Sequence, residues 1–326
     1  MSQLDAGQLD AVTGAFSYSG AAIARDLLER GHRVRTLTGH PGRAPAGTEI
    51  DCRPLDFSDK RALSMSLVGV HTLYNTYWVR FAHGSVTYTQ AVANSTVLFS
   101  AAVSAGVQRI VHVSITNPSP SSPDPYFRGK AAVEKALAES GIASYAVARP
   151  AILFGGDGVL LNNIAWLLRH LPVFAIGGRG DYRLRPVHVD DLAALCVDLG
   201  ARTDTTVVDA VGPESVTFRQ LVETIRAAVG SRSLLVPLPG PAIPLLANVL
   251  NIVLRDTLLT ADEYASMAAG RADSDGPTTG RIVLTDWIAA HGDQLGRRYA
   301  NELDRHFRGA KSQARDSTTG GNRSGS

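Results

Sequence analysis

The chain has 326 residues, 44% hydrophobic, 19% charged and 6% aromatic, enough to bury a substantial core and unlike a collagen-like, disulfide-scaffold or wholly disordered chain. Its formal charge is +2, and the last 18 residues carry that excess through Lys311, Arg315 and Arg323 against Asp316; residues 1–308 are neutral and lack the basic excess of a nucleic-acid-binding surface. Cys52 and Cys196 lie far apart with no Cys/His cluster around them, which argues against a disulfide framework and against a zinc or other metal site.

In chain order, a strand ends at Val12-Thr13 and a turn leads to a helix over Ala21–Arg30, with Ile23, Leu27 and Leu28 on one face and Gly31 as its stop. Arg33–Leu37 reads as the second strand, and Leu73–Tyr77, Arg109–Ser114 and Ser144–Arg149 as further strands. Helical patterns fall between them at about 59–68, 85–105 and 126–140. This alternation predicts an α/β fold with a doubly wound parallel sheet. Asp10 is out of place there, because a buried central strand should be apolar, and the sequence names no partner for it.

After Pro150 the texture changes. Gly and Pro are frequent around 155–186, helical periodicity returns over Asp190–Leu199 and Phe218–Val229, and Val207–Val211 reads as one more strand. Ser233–Leu254 is free of charge and long enough to span a membrane. Pro237, Pro239, Pro241 and Pro244 interrupt it, leaving about one apolar helix of ten residues after the last proline. Burial is expected for it, with a protein-partner or membrane-surface patch at 237–254 as the alternative. A helix near Ala261–Ala269 and a charged helix at about 284–307 follow, and the Gly/Ser/Thr-rich tail 309–326 is expected to be disordered. The polar start lacks an apolar signal segment, so a soluble cytoplasmic protein without a transmembrane span is expected.

Thr13-Gly14-Ala15-Phe16-Ser17-Tyr18-Ser19-Gly20 joins the first strand to the first helix. Gly14 permits a tight turn and Gly20 permits close helix–strand packing. The free N–H groups of the helix start would then face a pyrophosphate, helped by the helix dipole. Ser17 replaces one glycine expected in such a turn, and an ordinary strand–helix connection is the competing reading.

TGAFSYSG followed by AAIARDLLERGHRVRTL resembles the opening of an extended or atypical short-chain dehydrogenase/reductase. It is similar to the TGATGYTG opening of NmrA-like proteins and of the complex I accessory-subunit family of NAD(P)-binding proteins. Leu55-Asp56-Phe57, Asn75-Thr76, Ile110–Ser114, Tyr126-Phe127-Arg128-Gly129-Lys130, Arg149-Pro150 and Pro186-Val187-His188-Val189-Asp190-Asp191 match in register, so the resemblance covers roughly residues 9–230. It implies an NAD(P)-binding Rossmann core at 9–155 and a mixed substrate lobe at 156–308, with core elements returning at about 186–230. Gly14, Phe16, Ser17, Tyr18 and Gly20 would form the cofactor turn, Asn75 and Thr76 would lie beside the cofactor, and Asp56 would accept from the adenine amino group. A helix N-cap is the other reading of Asp56, although Ser58 or Asp59 could take that part.

An NAD-preferring site places Asp or Glu at the end of the second strand. Thr38, Gly39 and His40 stand there, with Arg43 close by and Arg35 within the strand, so no carboxylate would repel a 2′-phosphate. NADP(H) is expected over NAD(H), which stays open.

Tyr126 and Lys130, four apart, share one helix face. In the family the chain resembles, such a tyrosine is the general acid/base, and the lysine binds the nicotinamide ribose and lowers the phenol pKa, ordinarily near 10. Ser114, ending its strand, is the candidate for holding a substrate oxygen, with Thr116 as its rival. Prolines 118, 120, 123 and 125 place Tyr126 near a helix start, where its aim is open. By analogy Arg185 suits a substrate diphosphate; an ion pair with Asp190 or Asp191 is the alternative. Asp190 is expected to cap the helix after it, and His188 to be structural. Asn162, Asn163 and Trp166 share a helix that would border a substrate cleft, where packing and capping explain them equally well.

Two functions follow. One is an oxidoreductase, or a redox-cycling epimerase/dehydratase, on a small hydroxyl or carbonyl substrate, favoured by Tyr126 with Lys130. The other is a catalytically silent dinucleotide-binding sensor or assembly subunit, favoured by Ser17 and by the lack of a distinctive substrate motif.

Overall fold

The structure is a computed structural model that describes residues 7–45, 47–80, 86–254 and 260–301, so the tail at 309–326 lies outside the described residues. The first half alternates β1 (Leu9–Thr13), α1 (Tyr18–Glu29), β2 (Arg33–Thr38), β3 (Asp51–Pro54), α2 (Lys60–Leu67), β4 (Thr72–Asn75), α3 (Tyr88–Ser104), β5 (Arg109–Val113), α4 (Pro125–Ala138) and β6 (Ser144–Pro150). The second runs through β7 (Leu153–Phe154), α5 (Val159–His170), β8 (Val173–Gly177), β9 (Arg183–Leu184), β10 (Val187–His188), α6 (Val189–Gly200), β11 (Thr206–Ala210) and β12 (Val216–Thr217). It ends with α7 (Phe218–Ala228), β13 (Leu234–Leu238), α8 (Ala242–Leu254), α9 (Ala261–Ala268) and α10 (Leu284–His291).

Seven strands form one parallel sheet in the order β11-β6-β5-β4-β1-β2-β3. The chain reverses direction across the sheet between β1 and β4, and in such sheets ligands bind beyond the carboxyl ends of the strands at that point. Both faces are covered. Ile23 and Leu27 of α1 and Leu192, Cys196 and Val197 of α6 share one apolar cluster with Val12 and Val111. Leu63 and Leu67 of α2, Leu98 and Phe99 of α3, and Val133 and Leu137 of α4 form the other with Leu37, Leu73 and Ile110. Each fully buried leucine contributes about 1.5–3 kcal/mol by removal from water. The expected α/β doubly wound fold is the one observed.

The described residues fall into two compact units. One is drawn from Met1–Gly156, Arg183–Val216 and Gly270–Trp287; the other from Asp157–Tyr182, Thr217–Ala269 and Ile288–Ser326. The sequence pattern did not announce that 270–287 joins the first unit.

Asp10, the anomaly of β1, is fully buried but satisfied. His32 Nδ1 lies 2.5 Å from its Oδ2, while Gln8 Nε2 and the Thr72 N–H donate to Oδ1 at 3.0 and 3.1 Å. Two other expectations need correction. The charged helix expected at 284–307 stops at His291, and residues 302–307 lie outside the described residues. Arg169 holds the non-helical stretch after it by donating to the carbonyls of Gly292 and Leu295 at 2.8 Å each. The apolar helix begins before Pro244, not after it, because a proline in the first helical turn gives up no needed N–H. Pro237 sits in β13, which among the described residues pairs only with β8, and a strand edge tolerates a missing donor. Within 237–254, Ile243 and Ala247 are buried while Leu245 is 70% exposed. Among the described residues no helix is long and apolar enough to cross a membrane.

Candidate functional site

The site is built at the carboxyl end of β1. Gly14 has φ +66°, the left-handed region, as the tight turn requires. Its N–H donates to the Leu37 carbonyl at 2.9 Å and the Ala15 N–H to Thr36 Oγ1 at 3.0 Å, which ties the turn to β2. A Cβ on Gly20 would collide with the Gly14 carbonyl, so the helix approaches the turn as closely as glycine allows.

Ser17, the departure from the glycine pattern, does not disrupt the turn. Its hydroxyl and its N–H both donate to the Gly14 carbonyl, at 2.6 and 2.8 Å, so the serine closes the loop on itself. In consequence it does not cap α1. The contrast is with α2, α3, α4, α6, α7 and α9, capped by Asp59, Thr87, Asp124, His188, Thr217 and Thr260. α1 opens with neither a side-chain cap nor an acid in its first turn, leaving the positive end of its dipole for an anion. Phe16 is half-buried beside the turn, and the Tyr18 hydroxyl donates to the Gly155 carbonyl at 2.7 Å.

At the end of β4, Asn75 and the following Thr76 serve the sheet. The Thr76 hydroxyl donates to the Thr13 carbonyl at 2.6 Å and its N–H to Thr13 Oγ1 at 2.8 Å. Asn75 is fully buried; its Oδ1 accepts from Thr13 Oγ1 at 3.2 Å and its Nδ2 lies 3.1 Å from His112 Nδ1. At the end of β2, Thr38 Oγ1 accepts from the His40 N–H at 3.0 Å, and His40 is exposed. Arg43 ends a short 3-10 turn, and its side chain lies outside the described residues. Arg35, counted as a nearby cation in the sequence, is not one: Asp51 binds its Nε at 2.8 Å, and the carbonyls of Ser66 and Val68 bind its Nη1 at 2.9 and 3.0 Å. Asp56 is exposed and accepts from the N–H and hydroxyl of Ser58 at 2.9 and 2.6 Å, which holds its carboxyl below the usual range. The cap of α2 is Asp59.

The other end of the site lies on β5 and α4. Asp124 caps α4 by accepting from the Tyr126 N–H at 2.8 Å, which makes Tyr126 the second helical residue. One turn on, Lys130 is buried and donates from Nζ to the Val113 carbonyl at 3.0 Å. Burial pushes its ammonium down to about 7, against a smaller opposing pull from Glu134. His112, beneath it on β5, is pushed down to about 3 by burial and by Lys130, and is neutral at ordinary pH.

Ser114 and Thr116, rivals in the sequence, part here. Thr116 Oγ1 donates to the Arg271 carbonyl at 3.0 Å, whereas Ser114 Oγ is buried with no partner among the described residues. A buried hydroxyl without a partner is costly and rare, and marks a place where a ligand would complete the bonding.

Arg185 is engaged within its own unit, and the expected ion pair with Asp190 or Asp191 is not the one observed. Its guanidinium donates to the carbonyls of Gly212, Ser274 and Gly276 at 3.1, 2.9 and 2.6 Å and to Thr278 Oγ1 at 2.7 Å, fastening the 270–287 stretch. Asp190 pairs with Arg25 at 2.5 Å, and Asp191 accepts from the N–H groups of Arg281 and Ile282 at 2.9 and 2.8 Å. The cap of α6 is His188 Nδ1, at 3.2 Å from the Asp190 N–H, and not Asp190. Asn163, in the second unit, accepts from and donates to the backbone of Ala300 at 3.0 Å in each direction, and Asn162 holds Gly296 and Arg298. One residue that the sequence reading passed over is Trp78, whose indole packs on both Tyr126 and Lys130; the small Gly129 beside them was its only signal.

Residues 8–165 match the NmrA-like family. An uncharacterised protein of Sinorhizobium fredii is 26% identical over 286 residues, 80% of this chain and 70% of that one. Subunit 9 of the mitochondrial NADH dehydrogenase (ubiquinone) 1 alpha subcomplex of Arabidopsis thaliana is 29% identical over 140 residues, 42% of this chain. The match covers 34% of that relative, about a third of its length. Among solved structures, the NADPH-dependent quinone oxidoreductase QOR2 of Escherichia coli, complexed with NADPH, has the same fold with a TM-score of 0.71. It is 22% identical, and the match covers 87% of this chain and 99% of that one. The family resemblance read from the glycine turn and its companion motifs is thereby met: residues 8–165 match the NmrA-like family.

Proposed function

We propose that the chain is an NADP(H)-dependent oxidoreductase acting on a small carbonyl or hydroxyl substrate. The observation that carries the reading is that one end of the sheet holds both a buried Lys130, bonded to the Val113 carbonyl, and the buried hydroxyl of the next residue, Ser114, which has no partner among the described residues. The glycine turn fits the pyrophosphate of a dinucleotide, since α1 is uncapped, Gly14 takes positive φ and Gly20 leaves no room for a side chain. NADP(H) is inferred over NAD(H) because no carboxylate follows β2; with Arg35 held by Asp51, that inference rests on His40 and Arg43. The NADPH of the Escherichia coli relative in fold supports a nicotinamide dinucleotide as the ligand.

When bound, the dinucleotide supplies the hydride. Tyr126 holds at Oη the proton that the substrate oxygen takes up or gives off. Lys130 binds the ribose hydroxyls and, when protonated, favours the phenolate by its charge. Ser114 Oγ orients the substrate oxygen and finds in it the partner it lacks. The silent-binder reading loses the support it drew from Ser17, which closes the turn that it was thought to disrupt.

The test is NADPH oxidation against a panel of quinones, ketones and aldehydes, with Tyr126→Phe as control. Turnover should fall by about 10²–10⁴-fold in the variant, the usual worth of a positioned proton donor, with NADPH binding retained. Full turnover in Tyr126→Phe would end the assignment.

A further inference from the structure

Past β4 the chain carries Trp78 onto α4 at Gly129. A Cβ at position 129 would come within 2.7 Å of the indole Cη2, so the ring lies closer to the helix than any side chain there would permit. Lys130 Nζ is 4.8 Å from an indole ring centroid, and the Tyr126 ring stands edge-on to the indole, 5.8 Å away at 90°. Tyr88 of α3 backs the indole, stacked at 5.9 Å and 14°, and its hydroxyl donates to the Arg80 carbonyl at 3.0 Å. The indole Nε1 is buried without a partner among the described residues, so packing fixes the ring and not a hydrogen bond from its N–H.

We propose that Trp78 is a positioning residue, the roof of the Lys130 ammonium, which keeps water from it and sets the angle of the Tyr126 ring. For its catalytic consequence this rests on the function proposed above; the shielding itself requires no cofactor. An ammonium has three donors, of which the Val113 carbonyl takes one. An indole face attracts a cation but replaces water's oxygens only in part, so a lysine beneath it is desolvated without being expelled. The titratable groups around the ammonium do not offset this. His112 on β5 is neutral, Tyr126 and Tyr88 are phenols, and Glu134 on α4 is held by Arg149 of β6 through contacts of 3.0 and 2.5 Å.

The chain has four lysines, Lys60, Lys130, Lys135 and Lys311, so lysine-selective ¹³C NMR resolves each, with Lys130→Arg assigning its signal. In the cofactor-free protein Lys130 should titrate near about 7. Trp78→Ala should raise its proton affinity at least about tenfold, toward that of an ordinary lysine, while Trp78→Phe should hold it within about threefold of wild type. Trp78→Leu, a safeguard should the alanine variant not fold, keeps a dry roof without ring attraction and should leave the midpoint at or below that of wild type. An unmoved Lys130 in Trp78→Ala, equal shifts in the Phe and Ala variants, or a rise in Trp78→Leu overturns the proposal. Failure of the wild type to bind NADPH would defeat the proposed function but leave these midpoints, and the roof, standing. Unmoved midpoints with intact NADPH binding would defeat the roof alone.

Discussion

Replacing Lys130 by methionine is expected to make the protein more stable and its NADPH binding weaker. Burial has lowered the folded-state pKa of Lys130 to about 7, the reverse of what a lysine with an ion partner shows. Between about 7 and the ordinary lysine value near 10.5 the unfolded chain binds a proton that the folded chain does not. Wild-type stability therefore rises with pH across that window, by at most about 1.4 kcal/mol per pH unit, and below pH 7 the penalty stays constant. Methionine keeps the volume and removes the charge, so at neutral pH it should stabilise the fold by about 1–4 kcal/mol and flatten the pH dependence. The same change removes a charge-assisted hydrogen bond to the ribose, worth about 1.5–3 kcal/mol, so NADPH affinity should fall by roughly 10–100-fold. Binding to the wild type should also take up a proton above pH 7, weakening as pH rises, whereas in the variant it should be flat. Urea unfolding at pH 7 and 9 and NADPH titrations in buffers of different ionisation enthalpy check both halves. A Lys130→Met protein that is less stable at pH 7 and binds NADPH undiminished would contradict the account.

Asp10→Ala is expected to be among the most damaging substitutions away from the site, costing about 3–5 kcal/mol. The carboxylate is fully buried in a central strand and accepts from Gln8 and the Thr72 N–H while lying 2.5 Å from His32. Alanine leaves the buried His32 ring and the Thr72 N–H without their acceptor, and an orphaned polar group bears its full desolvation cost. Replacing Asp10 and His32 together by apolar residues should recover part of the loss, because a buried polar pair can be exchanged for packing more cheaply than it can be broken. Equilibrium urea unfolding of both single variants and the double variant measures the coupling. A loss below about 1 kcal/mol for Asp10→Ala would mean that the pair contributes little to this fold.

How far the sequence could be read follows the range of the interactions. The alternation of strands and helices, the Gly14 turn and the Tyr126/Lys130 spacing are local, and a few neighbouring residues specify each; the sheet and the site elements stand where those patterns put them. The partner of Asp10 was hidden because His32 is 22 positions away and meets it only through the parallel register of β1 and β2. Arg185 was misread for the same reason. Its acceptors are mostly backbone carbonyls some 27 to 91 residues on, and carbonyls carry no sequence signal. Ser114 and Thr116 are chemically alike and two apart, so only the Arg271 carbonyl that engages Thr116 tells them apart. Ser17 was read as a weakness of the turn because its side chain was taken as an addition to the glycine pattern and not as a lock upon it. Trp78 escaped notice because its role comes from packing on Gly129, a contact that no spacing reveals.

The central claim, that the Gly14–Gly20 turn holds a dinucleotide with a 2′-phosphate, is tested most directly by calorimetric titration of the protein with NADPH and, in parallel, NADH. The account predicts one NADPH per chain, bound at least about tenfold more tightly than NADH, as one charge-assisted phosphate contact would give. Equal affinity for the two would remove the NADP(H) preference, and binding of neither would contradict the claim outright.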